Sequence, residues 1–468
     1  MITRIMKFGG TSVANAEAIA RVASIIQDQR GTDVQLVVVV SAMGGVTDEL
    51  TRGVHAASAG DATLCCDVAN EIRGRTRQAA EDLIPSQDAR RDVLKKMDGI
   101  VNGYEAVCGS VHVLEEATPR VLDRATSCGE PLVAALLSAH LESLGIASQV
   151  TKAEDVIVTD DTFQNAAPLL AETRAQCSKR IAPLLSDGIV PVVGGFIGST
   201  TAGVPTTLGR GGSDFTAAIL GHALAADEVW IWTDVDGVMS ADPRRVPSAR
   251  VIPVLSYGEV AELAYFGAAV LHPRTIRPLV DERIPLWIKN TFRPDLDGTR
   301  IDADSHPVAG TVKAVTDIQG LSMVTVEGRG MLGVPGIAAR TFEAVARCDA
   351  NVLMISQASS EQSICFVIPV DDVPCVQQEL EAEFELEITR AEIDRVGALG
   401  GVSVVTAMGA GMRGITGVAG RLFTALDRHE VNIIAIAQGS SECSISIVVT
   451  EHDVENAVLA IHEEVMKV

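Results

Sequence analysis

The feature that most constrains this chain is a recurring unit: an apolar, strand-length run that ends in a glycine loop and leads into a helical pattern. Residues 2–7 alternate like a strand, Phe8-Gly9-Gly10-Thr11-Ser12-Val13 breaks the run, and Ala16, Ile19, Val22, Ala23 and Ile26 then recur at helical spacing. Residues 35–40 lead into Ser41-Ala42-Met43-Gly44-Gly45-Val46-Thr47, and residues 189–193 into Gly194-Gly195-Phe196-Ile197-Gly198. Near-continuous apolar strands alternating with helices predict a mainly parallel sheet covered on both faces. Ligands of such sheets bind beyond the carboxyl ends of the strands, so function is expected in the loops. Residues 1–301 read as this three-layer α/β domain, and residues 302–315 as a linker.

The loop best suited to a ligand is Gly209-Arg210-Gly211-Gly212-Ser213-Asp214, which precedes an apolar helical run. Glycines let the backbone approach a ligand closely, Ser213 or Asp214 can cap the helix, and Arg210 offers a planar fork to a carboxylate. Lys7 would project over the first glycine loop, where its ammonium could meet phosphoryl oxygens held by the loop and the Thr11/Ser12 helix start. By spacing alone it reads better as a surface lysine before a turn. The loop is not G-x-x-x-x-G-K-[ST], because the lysine precedes the glycines. Glu130 falls in a first helical turn, where its carboxylate suits the helix dipole or a substrate ammonium. Thr233-Asp234-Val235-Asp236-Gly237 ends another apolar run and reads as a turn.

Beyond the linker the chain repeats itself at a spacing of 81 residues. Gly330-Met331 matches Gly411-Met412, Gly336 matches Gly417, Phe342 matches Phe423, Asn351 matches Asn432, and Gln357-x-Ser359-Ser360-Glu361 matches Gln438-x-Ser440-Ser441-Glu442. The copies, 316–394 and 395–468, each read β, glycine loop, α, β, β, α, the start of a ferredoxin-like unit. Neither holds histidine or cysteine in catalytic spacing, so the pair reads as a small-molecule sensor.

Charge and composition exclude several classes. With 61 acidic against 38 basic residues the formal net charge is −23, which repels nucleic acid and anionic lipid. No apolar stretch approaches the ~18 residues of a membrane span. Residues 1–7 carry no signal pattern, so a cytoplasmic location is expected. Nine cysteines without a C-x-x-C pair argue against a disulfide framework or a zinc site, and read mostly as buried small hydrophobes. No metal-ligating residue is assigned.

Together, Lys7 to Val13, Gly209 to Asp214, Thr233 to Gly237, Phe266-Gly267-Ala268 through Leu271-His272-Pro273 and the doubled Gln-x-Ser-Ser-Glu segments resemble the aspartate kinases. The resemblance covers the whole chain and is closest to the kinase and sensor half of the bifunctional aspartate kinase–homoserine dehydrogenases. It implies an amino acid kinase fold followed by two ACT domains. It also implies phosphorylation of the L-aspartate side chain, with ATP and Mg²⁺, at the head of lysine, threonine and methionine biosynthesis. By the same resemblance Lys7, Gly9, Gly10 and Ser12 hold ATP phosphates, while Thr233, Asp234, Met239 and Arg244 line the nucleotide. Thr47, Glu130, Arg210 and Ser213 hold aspartate, with Arg210 on the α-carboxylate and Glu130 on the ammonium. Lys7 is catalytic, oriented by Asp214. Gln357 and Gln438 would contact an effector, threonine or lysine, at an ACT–ACT interface, and a homo-oligomer through the ACT domains is expected. Ala269 stands where the family usually has lysine, with Arg274 or Lys289 as possible replacements; an alternative reading is therefore a weak or inactive amino-acid-binding regulator.

Overall fold

The computed structural model describes residues 1–267, 271–303, 310–331, 334–357 and 362–465, so Ala269 and the Ser359-Ser360-Glu361 segment lie outside the described residues. It comprises two compact units, residues 1–238, 251–260 and 270–305 in the first, and 239–250, 261–269 and 306–468 in the second. The α/β region read as unbroken to residue 301 is thus interrupted twice. The reason is apolar burial: Ala241 and Val246 belong to a core of the second unit, and Phe266 packs on another.

The first unit is built on strands β1 (Ile2–Phe8), β2 (Val34–Val40), β3 (Ser148–Thr151), β5 (Val190–Gly194), β8 (Glu228–Thr233), β9 (Val254–Ser256), β10 (Leu286–Asn290) and β11 (Thr299–Asp302). Their order is β3-β5-β2-β1-β8-β10-β11-β9, parallel except where β11 runs against β10. A small sheet of β4 (Val158–Thr159), β6 (Ile197–Thr200) and β7 (Pro205–Thr207) lies beside it in the chain. Side chains alternate across a strand. Met6, Phe8, Val38, Val40 and Trp232 accordingly enter a buried cluster with helices Ala16–Gln29 and Gly129–Ser143. On the other face, helix Gly212–Ala223 comes so close that a Cβ on Gly221 would stand 2.7 Å from Val229. This is the expected three-layer arrangement.

Register aligns the carboxyl ends of five neighbouring strands. Phe8 pairs with Val40 and Trp232, Val40 with Gly194, and Asn290 with Thr233. Every glycine loop singled out in this region except residues 209–212 follows one of these strand ends directly.

In the second unit β12 (Ala314–Glu327), β13 (Met354–Gln357), β14 (Ser363–Pro369), β15 (Arg395–Met408), β16 (Ala435–Gln438) and β17 (Ser444–Thr450) form one antiparallel sheet, ordered β13-β14-β12-β15-β17-β16. Helices Ile337–Arg347 and Val373–Glu383 complete the first copy, and Val418–Arg428 and Val454–Val465 the second. The order within each copy is the one the repeat predicted. Gly336 (φ 94°) and Gly417 (φ 87°) open the first helix of each copy in the left-handed region, which favours glycine.

The cysteines depart from expectation. Cys348 and Cys375 form a disulfide between the two helices of the first copy, with Cα atoms 6.0 Å apart. Of the free thiols, Cys65, Cys108 and Cys177 are buried, while the rest are half-buried or exposed. Spacing along the chain could not reveal this pair, because packing of two helices brings it together.

Candidate active site

Lys7 ends β1 with its side chain buried and paired to Asp214. Burying an ammonium demands such a partner. Asp214 lies in the first turn of helix Gly212–Ala223, whose N-cap is Gly211 (φ 70°) with no side-chain cap. The expected capping by Ser213 or Asp214 is therefore corrected: both lie within the helix, and Asp214 serves Lys7 instead. Gly9 is held to Trp232 by its N–H (3.1 Å), and a Cβ there would stand 3.6 Å from Lys7 Nζ. At Gly10 a Cβ would come within 3.3 Å of the Ala42 carbonyl, so the first two glycine loops are packed backbone to backbone.

Two further expectations about this turn change. The helix begins at Ala16, capped by the Asn15 side chain at 2.9 Å, while Thr11–Val13 is a separate 3₁₀ turn. Ser12 is fully buried, with its hydroxyl on Thr291 (2.7 Å) and its N–H on the Gly9 carbonyl. It braces the turn and does not present a free hydroxyl.

Glu130 sits in the first turn of Gly129–Ser143, 3% exposed, and its Oε2 has no hydrogen-bond partner among the described residues. Burial pushes its carboxyl up to about 8, opposed by hydrogen bonds from the Glu130 and Ala42 backbone. Gly194 makes room for it, since a Cβ there would lie 3.0 Å from Glu130 Cβ. Gly195 likewise presses on Ser213, where a Cβ would be 2.7 Å from the serine Cβ. Thr47 lies half-buried in the first turn of Val46–Ser58, behind Gly45 (φ 82°). Arg210 is exposed and has no ion-pair partner among the described residues.

Helix starts in the unit divide by capping, Leu170–Arg180 and Ala182–Ser186 being uncapped along with those that carry assigned residues. Ala62–Leu83, Gln87–Leu114 and Pro119–Thr126 are capped by Asp61, Ser86 and Thr118, as Ala16–Gln29 is by Asn15. Val46–Ser58, Gly129–Ser143 and Gly212–Ala223, which carry Thr47, Glu130, Ser213 and Asp214, have no side-chain cap. Their first N–H groups are left for an anion.

Thr233 ends β8 and its hydroxyl donates to exposed Asp234 (3.2 Å). Asp236 is held by Asn290 (2.6 Å) and Arg293. Met239 and Arg244, also assigned to the nucleotide, fall in the segment that belongs to the second unit, and Arg244 pairs with Asp242 at 2.7 Å. Neither replacement cation is free: Arg274 is bonded to Asn165, and Lys289 donates to the carbonyls of Leu296 (3.2 Å) and Asp297 (2.9 Å). Phe196 was not singled out, yet it holds a left-handed φ of 69° between β5 and β6 against Gly212. That backbone conformation is an uncommon one for a bulky residue. A bulky residue flanked by Gly194-Gly195 and Gly198 was the available signal.

In the second unit Gln357 ends β13 and lines a cavity of about 350 Å³ with Met331, Val334, Pro335, Gly336 and Ile337. Gln438 ends β16, and both glutamines are exposed. No helix among the described residues is long and apolar enough to cross a membrane.

The profile of the amino acid kinase family matches residues 3–290, and that of the ACT domain matches 324–384 and 405–465, again 81 apart. The bifunctional aspartokinase/homoserine dehydrogenase 1 of Arabidopsis thaliana is 37% identical over 98% of this chain and 50% of its own length. The chain thus spans about half the length of the bifunctional relatives it matches. Aspartokinase 1 of Arabidopsis thaliana is 31% identical over 99% of this chain and 80% of its own. Among solved structures, E. coli aspartokinase III in complex with aspartate and ADP matches with TM-score 0.78 at 29% identity, covering 99% and 100% of the two chains. The same enzyme with lysine and aspartate matches at 0.79 and 28%, covering 99% of each. The aspartate kinase of Clostridium acetobutylicum matches at 0.81 and 26%, covering 98% and 99%. The chain belongs to the amino acid kinase family, in its aspartokinase branch with paired ACT domains.

Proposed function

We propose that this protein transfers the γ-phosphoryl group of ATP to the side-chain carboxylate of L-aspartate, giving 4-phospho-L-aspartate for lysine, threonine and methionine synthesis in the cytoplasm. The observation that carries this reading is the combination of a buried carboxyl with one unpartnered oxygen, Glu130, and a guanidinium with no ion-pair partner among the described residues, Arg210, at uncapped helix starts near the Lys7–Asp214 pair. An amino acid with a second carboxylate fits that charge pattern, and E. coli aspartokinase III binds aspartate and ADP. Arg210 would take the α-carboxylate, Glu130 the ammonium, and Thr47 and Ser213 would orient the side chain.

A carboxylate is already ionised at neutral pH, so attack on phosphorus needs alignment and charge neutralisation rather than a general base. Lys7, kept in place by Asp214, would act on the charge of the transferring group, with Gly9 and Gly10 letting the phosphates approach the backbone. Thr233, Asp234, Met239 and Arg244 would line the nucleotide, and Ser12 would hold the turn. Magnesium would be held chiefly through phosphate oxygens and water, since Asp214 is engaged by Lys7, and it would neutralise phosphate charge.

Control would come from threonine or lysine at the Gln357 cavity and at Gln438, in an oligomer formed through the ACT domains; E. coli aspartokinase III binds lysine. The test is an ATP-dependent hydroxamate assay across a panel of amino acids, with threonine and lysine added in turn. Hydroxamate formed with aspartate alone is expected. Product from glutamate in preference to aspartate would overturn the substrate, and no turnover with any amino acid would favour the inactive regulator, for which the engagement of Arg274 and Lys289 elsewhere already speaks.

A further inference from the structure

Residues 239–250 leave the first unit directly after the strand end that carries Thr233 and Asp234, and return to it at residue 251. Inside the second unit this excursion is firmly docked. The Val315 N–H donates to the Ser240 carbonyl (2.8 Å), and Arg245 pairs with Asp317 at 2.7 Å. Ser240 Oγ and His462 Nε2 are 2.9 Å apart, with both residues almost completely buried. Burial keeps His462 below the ordinary histidine range, reinforced by Arg250, so the pair is held as a hydrogen bond between the ring and the serine hydroxyl. That oxygen in turn accepts the Arg250 N–H at 3.0 Å, which closes the segment on itself.

The two copies of the repeat show that the docking surface is specific to the second. Val376 and Leu380 of the first copy correspond to Ala457 and Ile461, and all four are buried core. On the adjoining positions the copies part. Gln377, Glu379 and Glu381 are not buried, whereas their counterparts Val458, Ala460 and His462 are. Val458 and Ala460 share one apolar cluster with Ala241 and Val246 of the excursion. A charged, solvated helix face in one copy has become an apolar face with a single histidine in the other, and the histidine meets the one buried serine of the segment laid upon it.

We propose that His462 is a positioning residue for the nucleotide: through Ser240 it anchors segment 239–250, which carries Met239 and Arg244, and so couples that hydrogen bond to nucleotide affinity. The inference rests on the reading that Thr233, Asp234, Met239 and Arg244 line the nucleotide.

The test is direct binding of the fluorescent analogue mant-ADP with Mg²⁺ to the full chain, beside aspartate binding by calorimetry. His462→Leu and Ser240→Ala should each weaken mant-ADP by about fivefold or more, the low end of ordinary coupling, with aspartate affinity kept within about twofold. The double variant should be no weaker than the worse single one, because both remove one interaction. His462→Gln, whose amide can take up the serine hydrogen bond, should recover most of the loss. Asp317→Asn, at the less buried ion pair, should act in the same direction and guards against misfolding of the core variants. Equal loss of aspartate and mant-ADP affinity would show a merely structural role and overturn the proposal. So would unchanged mant-ADP affinity in folded variants. A wild-type chain that fails to bind mant-ADP would instead overturn the nucleotide reading, and the coupling with it.

Discussion

With Glu130 holding the substrate ammonium, as proposed, aspartate binding becomes a proton-coupled event. The Glu130 carboxyl is 3% exposed, one oxygen lacks a partner, and burial raises it to about 8 from an ordinary value of 4.5. A group with that affinity is about 90% protonated at pH 7, and ionising it there costs about 1.4 kcal/mol. A substrate ammonium recruits the charged form, so binding at pH 7 should release about 0.9 proton, and aspartate affinity should rise about tenfold per pH unit from 6 to 7 before levelling above 8. The sign for stability is opposite. A carboxyl that is raised on folding contributes stability that is fully present below about 4.5 and lost as pH climbs through about 8. Glu130→Gln should abolish proton release and flatten the pH dependence, with weaker binding at pH 8. Calorimetry in two buffers of different ionisation enthalpy measures the released proton. Wild-type binding at pH 7 without proton release, or identical release from the glutamine variant, would refute the argument.

Lys7→Ala should lower kcat by about 100-fold or more while leaving aspartate affinity nearly unchanged, since one preorganised donor to developing charge is worth about 3 kcal/mol. Arg210→Ala should chiefly raise the KM for aspartate, by about 10- to 100-fold for a lost charged hydrogen bond, and the same kinetic pattern in both variants would void the role assignment. Gln357→Ala with Gln438→Ala should keep uninhibited kcat while raising the threonine or lysine concentration needed for half inhibition; full inhibition at unchanged concentrations would remove the glutamines from the effector site. Chelation of magnesium should abolish phosphoryl transfer yet spare aspartate binding, which calorimetry with EDTA would check.

The sheet was legible in the sequence because a strand buried on both faces leaves a continuous apolar run, and a glycine loop after it marks the carboxyl end. The repeat was legible because its glycines must take a left-handed φ at Gly336 and Gly417, where other side chains are strained. Contacts made by distant side chains left no such trace. Ser12 looks like a helix start and is instead spent on Thr291, 279 residues away. Asn15 was passed over as the cap because the glycines before it drew the helix start forward. The excursions of 239–250 and 261–269 follow from where Ala241, Val246 and Phe266 find apolar partners, which no local pattern states. Cys348 and Cys375 meet only because two helices pack.

What the site gives up for binding can be read from its helix starts. A side-chain cap contributes about 0.5–2 kcal/mol, and the three helix starts that carry Thr47, Glu130, Ser213 and Asp214 forgo it, as Leu170–Arg180 also does. Glu130 adds a buried carboxyl with one unpartnered oxygen, and Phe196 a strained backbone. Each is unfavourable for the free fold, and on the proposed reading anions at the helix starts and an ammonium at Glu130 would relieve the first two. Defects of stability that share one place and answer to complementary charges are what a preorganised site consists of, because the dipoles and the buried charge are in position before the reactants arrive. The Lys7–Asp214 pair completes the logic. Asp214 keeps the buried ammonium oriented but also cancels much of its field, so a nucleotide carrying several negative charges would be held by helix starts, Lys7 and magnesium together rather than by any single cation.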